Sequence, residues 1–520
     1  MNFGKSVPLQ DERKIVILYK ETESYISVSF SYYFFPKREV SMETKRSLTG
    51  AEKAGYGLGA VGKDMVYMLS ASYILYYFQD IMGVSAYAMG VILLAARVFD
   101  AFNDPIMGVI VAKTKTKMGK FRPWLLIGTL TNAVVLYAMF TCPPALDGGG
   151  LIAYAAITYV LWGVTYTMMD IPFWSMIPAF TKGGKERENL TTLARSCSGV
   201  GSAIVSIFTV MAVHALGIRF GGTTAKDVER IGFSVFALII AVLFVVFIII
   251  TVAAVKEKST VDMETASVKQ MFSSLVRNDQ AMAIVITIVL VDVAMYITSN
   301  LVIYFFKYDL GGTGWYKDYT LFNTVAGAAQ IIAMMALYPI LRQALKIANT
   351  KIFYAGLAMS MIGYVGLLAL ATAGNKTLAL FLIPGVLIMA ASGMNNVLIT
   401  IFLANTVDYG EIKNGRRDES VIFSMQTFVV KLSSGLAAFI ASLTLGVLNL
   451  SNAAVTEADQ TVDFSLGVAA SQKMGLRMVM TLIPIAVLIV ACIWFKAKYR
   501  LNDKKVEELA EQVAELHEVR

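Results

Sequence analysis

Twelve separate stretches of about 20 mostly apolar residues recur along the chain, each long enough to cross the hydrocarbon core of a bilayer as a helix. They fall near 56–78, 86–112, 122–142, 150–178, 191–215, 230–254, 280–306, 318–341, 350–372, 377–405, 419–449 and 475–496. Lipid offers the backbone no hydrogen-bond partners, so such a chain must form a bundle of helices that satisfy their own peptide groups. Composition agrees: 57% of the 520 residues are hydrophobic and 16% are charged, against roughly a quarter charged in soluble domains. The expected fold class is an all-α, polytopic membrane protein.

Lys and Arg collect beside the cytoplasmic ends of spans, which sets orientation. Lys113, Lys115, Lys117, Lys120 and Arg122 follow the second span, Lys182, Lys185 and Arg187 the fourth, Lys256, Lys258 and Arg277 flank the loop after the sixth, and Lys413, Arg416 and Arg417 follow the tenth. The alternate loops Gln79 to Ser85 and Pro143 to Gly149 contain neither residue. Both termini are therefore expected in the cytoplasm, with the protein in the cell (inner or plasma) membrane. The net charge of +8 follows from this asymmetry, so no nucleic-acid partner is expected. No signal peptide is evident, and the first span can serve as its own targeting signal. Cys142, Cys197, Cys492, His214 and His517 lack metal-type spacing, and neither a disulfide framework nor structural zinc is expected.

Residues 1–50 read as a cytoplasmic extension. Ile15 to Tyr19 and Tyr25 to Phe35 are strand-like but too short to span, disorder is the expectation before Met42, and Met42 itself is a candidate start. The polar interruption at 255–279 divides six spans (51–254) from six (280–497), a layout of two pseudo-symmetric bundles with the substrate held between them. Residues 498–520 form a cytoplasmic tail with an amphipathic pattern at Val506, Leu509, Val513 and Leu516.

Charged groups inside apolar spans are costly unless something binds them, and so mark sites. Asp100, Asn103 and Asp104 stand at i, i+3, i+4 in the second span, one helical face carrying oxygens suited to Na⁺, Li⁺ or a proton. Two acids on one face repel unless a cation or proton is present, so the pair senses occupancy. The bland alternative is that Asp100 pairs with Arg97 while Asp104 serves a break before Pro105. In the fourth span Tyr166, Asp170 and Trp174 recur at i, i+4, i+8 and share a face on which a carboxylate accepts sugar hydroxyls beside an aromatic plate. Lys63 and Asp64 in the first span, Arg195 in the fifth and Lys431 in the eleventh add charges that either neutralise these acids or contact sugar oxygens. Thr167 either adds an oxygen to the cation site or bonds its own helix. Asp292, Asn300, Asn395 and Asn396 are further polar groups in apolar surroundings, with no role assigned. After the tenth span, Asp408, Glu411, Arg416 and Arg417 form either an inner gate or a solvated loop. No nucleophile and base constellation supports an enzyme.

Arg97-Val-Phe-Asp-Ala-Phe-Asn-Asp-Pro-Ile-Met-Gly, Gly119-Lys-Phe-Arg-Pro-Trp, Tyr166-Thr-Met-Met-Asp-Ile-Pro-Phe-Trp-Ser, Asp408-Tyr-Gly-Glu and Gln426-Thr-Phe-Val-Val-Lys occur in this order. Together they resemble the glycoside-pentoside-hexuronide:cation symporters, over about residues 50 to 500. The resemblance implies a major facilitator fold and cation-coupled uptake of a melibiose-like glycoside. It implies a cation site at Asp100, Asn103, Asp104 and Thr167, with Asn103 favouring Na⁺, and a sugar site at Lys63, Asp64, Tyr166, Asp170, Trp174, Arg195 and Lys431. No cofactor beyond the coupling cation is implied, and a monomer in the bilayer is the expected working form. Gly393-Met-Asn-Asn-Val-Leu-Ile-Thr departs from the family pattern, so the sugar is not carried over. H⁺-coupled transport of a hexuronide or pentoside, and export of a non-sugar solute on the same fold, are the rival expectations.

Overall fold

The computed structural model describes residues 15–21, 24–30, 47–181, 184–257, 276–414, 419–450 and 463–519, with positions 269 and 273 between them. Two units separate, Met1–Arg46 and Ser47–Arg520. In the first, strands β1 (Ile15–Glu21) and β2 (Ser24–Phe30) pair antiparallel with Ile15 opposite Phe30 and Glu21 opposite Ser24. These β-branched and aromatic runs form a hairpin where disorder was expected.

The second unit is helical. Its helices are α1 (Gly50–Leu75), α2 (Ala86–Lys113), α3 (Arg122–Met139), α4 (Gly148–Ser175), α5 (Gly184–Arg219), α6 (Ala225–Ala254), α7 (Asp279–Tyr304), α8 (Trp315–Ile332), α9 (Asn349–Thr372), α10 (Leu378–Asn414), α11 (Glu419–Val447), α12 (Ala470–Lys498) and α13 (Asp503–Val519). One helix thus lies at each of the twelve expected stretches. Ten helices among the described residues are long and apolar enough to cross a membrane. The remaining two, α1 and α3, are made more polar by Lys63 and Asp64 and by Arg122 and Asn132.

Packing follows two sets. Within the first six helices α1 lies against α5 and α6, and α4 against α2 and α3; within the last six α7 lies against α11 and α12, and α10 against α8 and α9. The sets meet chiefly through α2 with α11 and α5 with α8. This is the major facilitator arrangement of two six-helix bundles. α1 and α7 both continue into a π-helical turn, Tyr76–Ile81 and Phe305–Leu310, so corresponding helices of the two sets end alike.

The Gly119-Lys-Phe-Arg-Pro-Trp motif is a clamp. The Glu257 carboxylate accepts from the backbone N–H groups of Lys120 (2.7 Å), Phe121 (2.9 Å) and Arg122 (3.1 Å), which satisfies the open donors at the start of α3. Arg122 donates back to the Val252 carbonyl from Nε (3.1 Å) and Nη2 (2.5 Å). Gly119 has φ +110° and a Cβ there would stand 2.4 Å from Glu257 Oε1, so a side chain at this position is strained and displaces the carboxylate from the clamp. Removing the carboxylate as Glu257→Ala should cost about 2 kcal/mol of stability, the scale of hydrogen bonds to a charged group. A thermal-unfolding midpoint equal to that of the unaltered protein would remove the clamp from the stability account.

Candidate functional site

α4 is the spine of the site. Gly128 lets α3 approach so closely that a Cβ would meet the Met169 backbone nitrogen at 2.7 Å, and Asn132 of α3 donates to the Trp162 carbonyl at 3.0 Å. On the inward face that results, Lys63 Nζ lies 2.8 Å from Asp170 Oδ1, 3.0 Å from Asp64 Oδ1 and 3.2 Å from the Tyr166 hydroxyl. Trp174 Nε1 donates to Asp170 Oδ1 at 3.2 Å. The Arg195 guanidinium carbon sits 4.0 Å from the centre of the Trp174 ring, a cation–π geometry. Six of the seven residues expected at the sugar site are therefore one contiguous group drawn from α1, α4 and α5.

The seventh, Lys431, comes from α11 and makes an ion pair with Asp104. Thr167 Oγ1 donates to the other oxygen of that carboxylate at 2.9 Å, so Asp104, Thr167 and Lys431 form a second group one helical turn from Asp170. Lys431 remains within electrostatic reach of Asp100 and Asp170. Asp100 is held by Arg97 Nη1 at 3.1 Å, the pairing of the bland alternative for that residue. Asn103 Nδ2 is buried without a hydrogen-bond partner among the described residues. The expected four-oxygen cage is thus divided in this state, with Arg97 on one acid and Lys431 on the other.

The groups can be reached. Side chains of Asp170, Asp104 and Lys431 are 29%, 26% and 21% exposed. Beside Arg97, between α1, α2, α4, α7 and α11, lies a cavity of about 230 Å³ lined by Tyr67, Ser72, Tyr159, Tyr296, Asn300 and Ser434 among others. Half-buried carboxylates, an aromatic plate and hydroxyl-bearing walls suit a polyhydroxylated ligand, whose O–H groups donate and whose apolar ring face stacks.

Away from this site, at the C-terminal ends of α1 and α7 and the N-terminal end of α6, a second cluster stands outside the sequence expectations. Lys307 Nζ contacts Asp80 Oδ2 at 2.8 Å, Glu229 Oε2 at 3.0 Å and the Tyr76 hydroxyl at 2.6 Å. Tyr76 donates to Glu229 at 2.7 Å, and the Tyr308 hydroxyl donates to Asp80. Ser442 of α11 adds hydrogen bonds to Gln79 (2.6 Å) and to the Ala86 carbonyl (2.5 Å), and Asp309 pairs with Arg477 at 2.6 Å. The first and last six helices are joined here by charges that are almost fully buried. The available signal was a repeat, Tyr-Tyr-Phe-Gln-Asp-Ile at 76–81 and Phe-Phe-Lys-Tyr-Asp-Leu at 305–310, two aromatics and then an acid at the same place.

At the opposite face, Asp408 and Glu411 lie on α10, with Glu411 buried; Arg416 and Arg417 lie outside the described residues. Lys413 pairs with Asp279, which also accepts from the Tyr409 hydroxyl at 3.0 Å. The described contacts there tie α10 to α7.

Residues 55–503 match the family described as MFS/sugar transport protein. The isoprimeverose transporter of Lactiplantibacillus pentosus is 28% identical, over 77% of this chain and 81% of that one. The glucuronide carrier protein homolog of Escherichia coli is 25% identical, over 88% and 94%. In fold, the chain is similar to a bacterial homologue of the human lysosomal transporter Spinster, solved inward-facing and unoccupied, with a TM-score of 0.60 at 12% identity over 86% of this chain and 96% of that one. The chain therefore belongs to the MFS/sugar transport protein family, in its glycoside-pentoside-hexuronide:cation symporter branch, as a multi-pass membrane transporter and not an enzyme.

Proposed function

We propose that the protein is a Na⁺-coupled symporter that carries a melibiose-like glycoside into the cell by alternating access, working as a monomer in the cell membrane with both termini cytoplasmic. The observation that supports this best is the adjacency of Asp170, with Lys63 and Trp174, to Asp104, with Thr167 and Lys431, on successive turns of α4 and its neighbours. Asp64 and Asp170 accept sugar hydroxyls, Trp174 supplies the stacking face and Tyr166 and Arg195 frame it.

Lys431 links the two sites. A monovalent cation entering among Asp100, Asn103, Asp104 and Thr167 takes the place of the ammonium on Asp104. The released ammonium stays within reach of Asp170 and becomes available to a sugar oxygen. Cation binding thus prepares the sugar site, and by linkage the sugar strengthens cation binding equally. The buried cluster around Lys307 closes the extracellular route in this state, and Asp408, Glu411, Arg416 and Arg417 close the cytoplasmic route in the other.

Calorimetric titration of the purified protein with neutral and acidic glycosides, with and without Na⁺ at fixed ionic strength and pH, tests the reading. Na⁺ should tighten binding of one glycoside about 5-fold or more, the lower end of ordinary coupling. Asp100→Cys and Asp104→Cys should each keep sugar binding and lose that stimulation. Stimulation that survives in both variants removes the cation from this face of α2. Binding that follows pH and ignores Na⁺ replaces Na⁺ by H⁺, and a protein that binds no sugar is not a sugar symporter.

A further inference from the structure

α7 carries a polar stripe that neither the sugar cluster nor the cluster around Lys307 uses. Asp292, Tyr296, Ser299 and Asn300 stand at i, i+4, i+7 and i+8 and so share a helical face. Tyr296, Ser299 and Asn300 line the cavity beside Arg97 and Tyr67. Asp292 lies one turn further along the same face, within electrostatic reach of Tyr296. Among the described residues no hydrogen bond or ion pair engages its carboxylate.

The other acids of the central region each have a cation: Asp64 and Asp170 share Lys63, Asp100 has Arg97 and Asp104 has Lys431. Arg195 rests on Trp174. Asp292 is the one acid of this set with no cation among the described contacts. The coupling cation proposed above sits among Asp100, Asn103, Asp104 and Thr167, not on Asp292. A uronide would set a second carboxylate beside Asp292, and two acids at close quarters do not both ionise without cost, whereas a neutral glycoside brings O–H donors that an unengaged carboxyl oxygen accepts.

We propose that Asp292, with Ser299 and Asn300 beside it, is the sugar contact supplied by the last six helices, and that its carboxylate makes the carrier select neutral glycosides over uronides. This rests on the sugar-symport reading above. It places the ligand across both bundles, so that binding bears on their relative movement.

Titration of the purified full-length protein with isoprimeverose, lactose and methyl β-glucuronide, at saturating Na⁺, decides it. The unaltered protein should bind one of the neutral disaccharides at least about 10-fold tighter than the glucuronide, since like charges at close quarters are strongly disfavoured. Asp292→Asn keeps an acceptor oxygen and removes the charge; it should narrow the preference about 10-fold by gaining glucuronide affinity. Asp292→Leu should lose about 10-fold in affinity for the neutral sugar. Thermal unfolding establishes that each variant is folded, and the near-isosteric Asp292→Asn carries the test where Asp292→Leu does not fold. Neutral-sugar binding with affinity and selectivity unchanged in the folded variants overturns the role of Asp292 and leaves sugar transport standing. A glucuronide preference in the unaltered protein also overturns it, and absence of any sugar binding overturns both readings.

Discussion

Replacement of Asp170 by alanine is expected to abolish measurable sugar binding, with a loss of at least about 100-fold, the equivalent of two hydrogen bonds to a charged group. Three features place the effect here. The Asp170 side chain is 29% exposed while its partner Lys63 is 4% exposed, so the carboxylate and not the ammonium meets an incoming ligand. One of its oxygens already takes Trp174 Nε1 at 3.2 Å, which fixes the indole plane against which a sugar ring would stack. Its loss also leaves Asp64 as the acid that holds Lys63, and the ammonium then withdraws this second acid from the ligand. Asp170→Asn retains an acceptor but not the charge and should lose about 10-fold, one charge-assisted contact. The check is the titration described above, on variants whose thermal unfolding shows them folded. Alanine at 170 with unaltered affinity would place the sugar elsewhere.

The stacking of Tyr166, Asp170 and Trp174 was legible in the sequence because α4 is regular there and a spacing of four keeps residues on one face. The helix positions were legible for an equally local reason, since a run of apolar residues has the length of a bilayer. What a periodicity does not report is which faces meet. Lys431 reaches Asp104 across 327 positions; the family resemblance grouped it with the sugar residues, and the structure pairs it with Asp104. Arg97 and Asp100, only three residues apart, were readable as a pair, yet nothing in the spacing separated that reading from a cation cage. The cluster around Lys307 escaped for a different reason. Asp80 and Lys307 fall just past the apolar runs of α1 and α7, where loops are expected, and only continuation of both helices through a π-helical turn brings them inward. The described part of the expected inner gate, Asp408 and Glu411, belongs to α10, and its basic members lie beyond the described residues.

The cluster around Lys307 gives the second large effect. Lys307→Met removes the only cation among the described contacts of Asp80 and Glu229, two acids that are 4% and 8% exposed as residues. Breaking a buried ion pair from one side costs about 3–5 kcal/mol because a charge is left without a partner. Lys307 sits on the last six helices while Asp80 and Glu229 sit on the first six, so the cost falls on the state in which these ends are joined. A state in which they part returns both acids to water and escapes it. The equilibrium should therefore move toward outward opening by about 100-fold or more. An impermeant maleimide reports this from outside: a cysteine introduced at Ser299, in a background where Cys142, Cys197 and Cys492 are replaced, should react about 100-fold faster with Lys307→Met than without it, matching that shift. Neutralising the acids as well, with Asp80→Asn and Glu229→Gln, removes the stranded charges and should return the rate most of the way. That rescue distinguishes an electrostatic lock from simple loss of packing, because a methionine that merely fitted badly would stay reactive whatever the charge at 80 and 229. Equal labelling rates in the protein with and without Lys307 would mean that the contacts of α2 with α11 and α5 with α8 hold this face shut by themselves.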